Sequence, residues 1–174
     1  MPNSLNFFIE TYLSKNISRY PHFVTNFGAR IIRMKKVHFN YADRKLNILN
    51  KTSIKDFVEQ LFKQEKRQLG CIRYVFCSDD YLLEINKASL NHDFYTDIIT
   101  FGLSEPNLPI EAEVYISIDR VKDNAQTMNI TFKEELLRVV FHGALHLCGY
   151  KDKKKTDVLR MREKENYYLK KALD

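Results

Sequence analysis

Apolar residues recur at Leu136, Val139, Val140, Ala144 and Leu147 in the stretch TFKEELLRVVFHGALHL. On a 3.6-residue period they form one wide apolar surface, which predicts a largely buried central helix. Thr131, with Glu134 three residues later, supplies a capping box at its start. Gly149 is placed to end it. Ile54, Phe57, Val58, Leu61 and Phe62 make one face of an earlier helix in TSIKDFVEQLFKQEKRQLG, with Ser53 as the expected N-cap and Gly70 as the expected C-cap. SDDYLLEINKASL predicts a short helix with Ser78 as N-cap and two acids in its first turn. DRVKDNAQTM reads as another helix, and a last one is expected over Asp157–Leu173. Strands are expected at KVHFNY, IRYVF, TDIITF and EAEVYISI, the last with Val114, Ile116 and Ile118 on one face. NHDFY and SEPNLPI read as loops. About four strands and four to five helices predict an α+β fold: a single compact domain with a small mixed sheet.

Bulk composition narrows the class. The chain has 174 residues, 44% hydrophobic and 29% charged, which suits one globular domain with its own core. No apolar run approaches the ~20 residues that span a bilayer, and no secretory signal is evident, so no membrane partner is expected. Residues 1–33 carry Lys15, Arg19, Arg30 and Arg33 against Glu10, with irregular hydrophobic spacing. They read as an N-terminal extension ahead of a domain over 34–174. A net charge of +6 moves the expectation slightly toward anionic partners, nucleic acid first. Cys71, Cys77 and Cys148 form no CxxC, which fits a reducing cytosol. Cys71 and Cys77 share a strand face and read as small core residues.

The chemistry concentrates in HGALHLCGYKD, residues 142–152. Side chains four apart on a helix point the same way, so His142 and His146 offer two imidazoles to one point. Gly149 can adopt positive φ and turn the chain back, bringing Asp152 there as a third ligand; Asp157 is also within loop reach. Two nitrogens and one carboxylate oxygen leave a fourth position open on zinc, the layout of a catalytic site. The spacing is nearly that of metzincin metalloproteases, which carry a glutamate after the first histidine as general base. Here that residue is Gly143, which accepts no proton. A phosphodiester is the better target, because its anionic oxygens can meet the metal directly. Lys151, Lys153, Lys154 and Lys155 surround the third ligand and read as candidate phosphate contacts.

FHGALHLCGYKD resembles the H-G-x-L-H-L-x-G-Y-D-H signature of the YbeY endoribonucleases, the rRNA maturation factors of bacteria. Upstream, Thr96, Asp97, Ile98, Ile99, Thr100 and Phe101 are similar to that family's T-D-V-L-S-F motif. EAEVYISIDRVKDNA resembles its G-D-I-x-I-S strand and following helix, with Ala112 and Glu113 in place of Gly and Asp, and MREKE resembles a common C-terminal ending. The resemblance runs over residues 34 to about 170. It implies an α+β domain holding one zinc ion through three side chains. It also implies cleavage of single-stranded RNA, maturation of the 3′ end of small-subunit (16S) rRNA and a part in ribosome quality control. The implied setting is the cytoplasm, beside the small ribosomal subunit, with no DNA substrate.

Three further departures from the family fall at or near the site. Asp152 stands where the family has its third histidine, and Lys151 replaces its aspartate. An arginine thought to assist catalysis aligns with Leu90, which leaves Lys87, His92 and Lys151 as replacement candidates. Thr96 and Asp97 read mainly as turn-capping residues. His142 and His146 are thus the expected catalytic metal ligands, with Asp152 third, and His92 joins the lysines as a candidate RNA contact. Two rivals stand beside the nuclease: a ribosome-binding factor with a structural metal, and a metallopeptidase, against which Gly143 argues.

Overall fold

The computed structural model describes residues 35–174, so the expected extension over 1–33 lies outside the described residues. In chain order the elements are β1 (Val37–Tyr41), α1 (Lys51–Gln64), β2 (Leu69–Cys77), α2 (Asp79–Leu90), β3 (Ile98–Gly102), β4 (Ile110–Ser117), α3 (Ile118–Thr127), α4 (Phe132–Cys148) and α5 (Lys155–Leu173). The four strands form one mixed sheet in the order β1-β2-β4-β3. β1, β2 and β4 run parallel, and β3 is antiparallel to β4. The single α+β domain expected from the residue pattern is the one observed.

Alternation along the strands divides the sheet into two faces. Ile72, Tyr74 and Phe76 of β2 join Ala112, Val114 and Ile116 of β4 in the main core. Val58, Leu61 and Phe62 of α1, the apolar side of α4, and Met161, Tyr168 and Leu169 of α5 close over them. The opposite face carries a smaller cluster, in which Cys77, Ile99 and Tyr115 meet Leu82 and Ile85 of α2. The larger aliphatic and phenylalanine side chains among them contribute about 1.5–3 kcal/mol each when fully removed from water. Of the strand cysteines, Cys77 is buried and Cys71 only half-buried, so the core assignment holds for Cys77 alone. No helix of the described residues is long and apolar enough to cross a membrane.

Local signals at the helix ends hold in most places. Ser78 accepts from the Tyr81 N–H, and Thr131 and Glu134 close the capping box of α4. Gly149 ends α4 at φ 103°, in the left-handed region. The α1 boundaries differ from expectation. Ser53 lies inside the helix, which starts after Asn50 in a left-handed conformation with no side-chain cap. The helix stops at Glu65, and Lys66 turns the chain at φ 56° while the Arg67 N–H donates to the Phe62 carbonyl at 2.8 Å. Gly70 instead lies in β2, where a Cβ would come within 3.2 Å of the Ile110 carbonyl oxygen, at the point where the β2–β4 register slips. Ile118 is buried like its alternating neighbours but begins α3, because the Ser117 hydroxyl accepts from the Arg120 N–H and caps the helix there.

α4 crosses the sheet at close range. A Cβ built on Gly143 would stand 2.9 Å from Ile98 Cδ1 and 3.0 Å from Val114 Cγ1. The residue after the first histidine is therefore glycine for a packing reason, and the position that carries a peptidase base elsewhere points here into the sheet.

Candidate metal centre

His142 and His146 project from α4 one turn apart, into a cleft that β3 also lines. Their Nε2 atoms are 2.9 Å apart. Asp152 Oδ2 lies 3.7 Å from His142 Nε2 and 3.4 Å from His146 Nε2. One ligand atom from each of the three residues falls within 4.8 Å of the others. The turn at Gly149 makes this possible, because it reverses the chain between His146 and Asp152. Asp157, the other carboxylate within loop reach, sits in the first turn of α5 and faces a different cleft, with Glu65, Tyr150 and Arg160.

Each imidazole is oriented from behind. His142 Nδ1 is 2.7 Å from Glu165 Oε1, and His146 Nδ1 is 3.0 Å from the Tyr150 carbonyl oxygen. Both partners are acceptors, so both Nδ1 atoms carry the proton and donate it. That leaves the Nε2 lone pairs aimed at the shared point. A ring nitrogen that donates to a carboxylate or carbonyl while the other faces a common point is the usual arrangement behind histidine metal ligands. The donor set of two neutral nitrogens and one carboxylate oxygen also suits zinc. Burial acts to lower the His142 pKa, but the hydrogen bond and charge of Glu165, with the charges of Asp97 and Asp152, outweigh it and hold it above the ordinary histidine value.

Glu165 was not apparent in the sequence. It sits on α5, 4% exposed, with Arg138 Nη1 3.8 Å away. Arg138 also pairs with the buried Glu135 of α4 at 3.4 Å. In the sequence Glu165 closes the MREKE stretch, whose resemblance to a family ending names no partner for it, and the spacing within the stretch does not set it apart from Glu163.

Tyr150 is held in turn. Its hydroxyl donates to Glu65 Oε2 at 2.8 Å, Lys164 Nζ lies 2.8 Å from Glu65 Oε1, and the Tyr168 hydroxyl donates to the same oxygen. Burial acts to raise the Glu65 pKa, but the hydrogen bonds from Lys164, Tyr168 and Tyr150 outweigh it and hold the carboxyl below its ordinary value. A depressed folded-state pKa means stability that is complete at neutral pH and lost as pH falls below about 4.3 toward the folded value. Glu65→Gln should therefore be less stable than the parent at pH 7, with the gap narrowing as pH falls below about 4.3. Urea midpoints of both proteins over that fall in pH measure it, and a constant gap would show that the Glu65 charge contributes nothing.

Two clefts meet at this point. One, of about 610 Å³, contains His142, His146 and Asp152 together with Leu90, His92, Phe94 and Lys153. The other, of about 490 Å³, shares His142 and Asp152 and adds Arg138, Arg162 and Glu165. Asp97 lines both. The Thr96 hydroxyl makes a local turn bond to the Ile98 carbonyl at 3.3 Å, whereas the Asp97 carbonyl accepts from the Ser117 N–H at 2.9 Å, across to the end of β4. The Asp97 carboxylate also accepts from Asn124 Nδ2 at 3.3 Å.

The basic candidates separate. Lys153 and His92 line the cleft with the histidines. Lys151 lines a different one, with Glu65 and Tyr150. Lys154 and Lys155 are exposed at the start of α5 and line none of these clefts. Lys87 is engaged by Asp93 at 3.0 Å and Glu84 at 3.7 Å. Leu90, at the position aligned with the family's arginine, is 40% exposed on the cleft wall. Cys148 packs against the main core and lies outside the group of His142, His146 and Asp152; burial pushes its thiol up to about 12.

The chain is similar to known proteins over most of its length. The family model for endoribonuclease YbeY matches residues 38–173. A curated endoribonuclease YbeY of Cytophaga hutchinsonii is 44% identical over 138 residues, covering 79% of this chain and 96% of that protein. One from Flavobacterium psychrophilum is 46% identical over 134 residues, covering 77% and 94%. A solution structure from Thermotoga maritima superposes with a TM-score of 0.55 at 28% identity, over 77% of this chain and 88% of that one. With nearly the whole described region matched, histidine helix included, the chain belongs to the endoribonuclease YbeY family.

Proposed function

We propose that the protein is a zinc-dependent endoribonuclease that cuts single-stranded RNA, acting in the cytoplasm on the 3′ end of small-subunit (16S) rRNA and in ribosome quality control. Family membership supports the RNA-cleaving activity. The observation that carries the metal is the paired anchoring of His142 by Glu165 and of His146 by the Tyr150 carbonyl, which aims both Nε2 atoms at Asp152 Oδ2. A zinc ion held there would supply positive charge and Lewis acidity at a phosphodiester. His142, His146 and Asp152 hold it, and Glu165 fixes the His142 ring and tautomer. Lys153, at the cleft wall, offers its ammonium to an adjacent phosphate.

Cleavage of a labelled single-stranded RNA by the purified protein, with and without a chelator, tests this. Cutting that stops with chelator and returns with zinc is expected. A ribosome-binding factor with a structural metal is the second reading, favoured by Leu90: among the described residues no arginine lines that cleft to meet developing phosphate charge, and Arg138 and Arg162 line the adjoining one. Small-subunit binding without cutting would select it.

Glu165 gives a separate test of the metal. Its carboxylate accepts from His142 Nδ1 and makes the ring more basic. Glu165→Gln keeps an acceptor oxygen but loses the charge, and should weaken zinc about 10-fold; Glu165→Ala should approach 100-fold. Competition against a chromophoric chelator measures both. Unchanged affinity in the two variants would remove Glu165 from the metal's support.

A further inference from the structure

His92 and Phe94 stand on the loop between α2 and β3 with their rings stacked, centroids 5.0 Å apart and planes at 24°. Phe94 is 56% exposed, and no core packing requires it there. The loop beneath is firmly built. The Asn86 side chain donates through Nδ2 to the Phe94 carbonyl at 2.8 Å, and Asn86 is 2% exposed. The His92 N–H donates back to the Asn86 carbonyl at 3.3 Å. Asn91 turns the chain at φ 58°. Next along, the Tyr95 hydroxyl donates to Asp80 at 3.2 Å, and the Arg120 guanidinium lies 5.0 Å over the Tyr95 ring. A buried amide and a capped neighbour thus hold two exposed aromatic rings in place.

Both rings line the cleft that contains His142, His146 and Asp152, with Lys153 on the same wall. We propose that the His92–Phe94 pair is a stacking platform for one unpaired nucleobase of the RNA substrate, beside the phosphodiester held at the His142–His146–Asp152 centre. This rests on the endoribonuclease function proposed above. An exposed aromatic face accepts any base by its π surface, and stacking on it requires that the base not be stacked within a duplex. The backbone is drawn by positive charge at Lys153 and the centre, while the base is taken by the aromatic pair. A preference for single strands then arises from the platform, without base-edge hydrogen bonds.

The chain contains no tryptophan, so Phe94→Trp introduces a lone indole on the platform. The probe is a short single-stranded oligoribonucleotide methylated at its 2′ oxygens, titrated into the zinc-loaded protein. The indole fluorescence should be quenched along the same curve as the anisotropy of labelled oligonucleotide, and a duplex of the same sequence should not quench it. Phe94→Ala should weaken binding of the single strand about 5- to 150-fold, with zinc affinity unchanged. An indole that stays unquenched at saturating oligonucleotide, or Phe94→Ala binding equal to the parent's, overturns the platform while leaving the nuclease intact. If the parent protein binds no single-stranded RNA, the nuclease function falls and the platform falls with it.

Discussion

Replacing His146 by alanine should remove metal binding and RNA cleavage together while leaving the fold in place. The side chain supplies one of three converging donors, and its Nε2 lies 2.9 Å from that of His142 and 3.4 Å from Asp152 Oδ2. Without it, one imidazole and a carboxylate remain, too few to hold zinc in competition with water. Loss of a group behind a ligand already costs 10- to 100-fold in affinity, so loss of a ligand should exceed about 100-fold. The fold should be little affected, because the His146 side chain is 28% exposed and lies outside the main core. Metal-free parent and variant should unfold within about 1 kcal/mol of each other. Zinc should then raise the urea midpoint of the parent and not of the variant, since a ligand that binds only the native state stabilises it in proportion to the logarithm of its concentration over Kd. Metal content, cleavage rate and the zinc-dependent midpoint are three separate readouts. A His146→Ala protein that cuts RNA at the parent's rate would end the assignment of this centre.

Gly143→Glu should lose stability rather than gain peptidase activity. The substitution restores the glutamate that follows the first histidine in metzincins. In those enzymes the position serves as general base; here its Cβ would fall 2.9 Å from Ile98 Cδ1 and 3.0 Å from Val114 Cγ1. Even alanine must displace these groups. Its better helix propensity, about 1 kcal/mol, offsets part of an overpacking cost of about 1–3 kcal/mol. Ile98 can swing its terminal methyl aside, but Val114 is β-branched, fully buried and stiff. Glutamate adds a carboxylate with nowhere to be solvated, and the expected loss exceeds about 3 kcal/mol. Denaturant unfolding of Gly143→Ala and Gly143→Glu, both metal-free, gives the comparison. The order parent, alanine, glutamate is expected. A glutamate variant as stable as the parent would mean that α4 does not lie this close to β3 and β4.

Much of the centre could be read from the sequence because it is local. Residues four apart on a helix share a face wherever that helix sits in the fold, so His142 and His146 converge by helical geometry alone. Thr131, Glu134 and Gly149 mark the two ends of α4 through contacts within a few residues. Asp152 follows from the turn that a positive φ at Gly149 permits. Two cap signals failed, one of them, at Gly70, to a non-local contact. Gly70 resembled a helix cap, yet it lies in β2, where a Cβ would meet the Ile110 carbonyl oxygen at 3.2 Å and Pro109 Cβ at 3.3 Å. Ser53 resembled an N-cap, yet Asn50 in a left-handed conformation starts the helix earlier.

By itself the sequence determined the order of the elements and the histidine pair, and narrowed the carboxylate to Asp152 or Asp157, since periodicity, capping and turn chemistry act over a few residues. Only the tertiary structure decided what stands behind those ligands and beside them. Glu165 reaches His142 across 23 residues, and Glu65 reaches Tyr150 across 85. The four lysines after Gly149 are alike in sequence, yet only Lys153 lines the cleft with the histidines. Gly143 is set by two strands that precede it in the chain, and the His92–Phe94 stack is placed by a buried Asn86. These choices depend on which faces of separate elements meet. Residue spacing within one element carries no record of that, because the meeting is settled by the burial of the whole core.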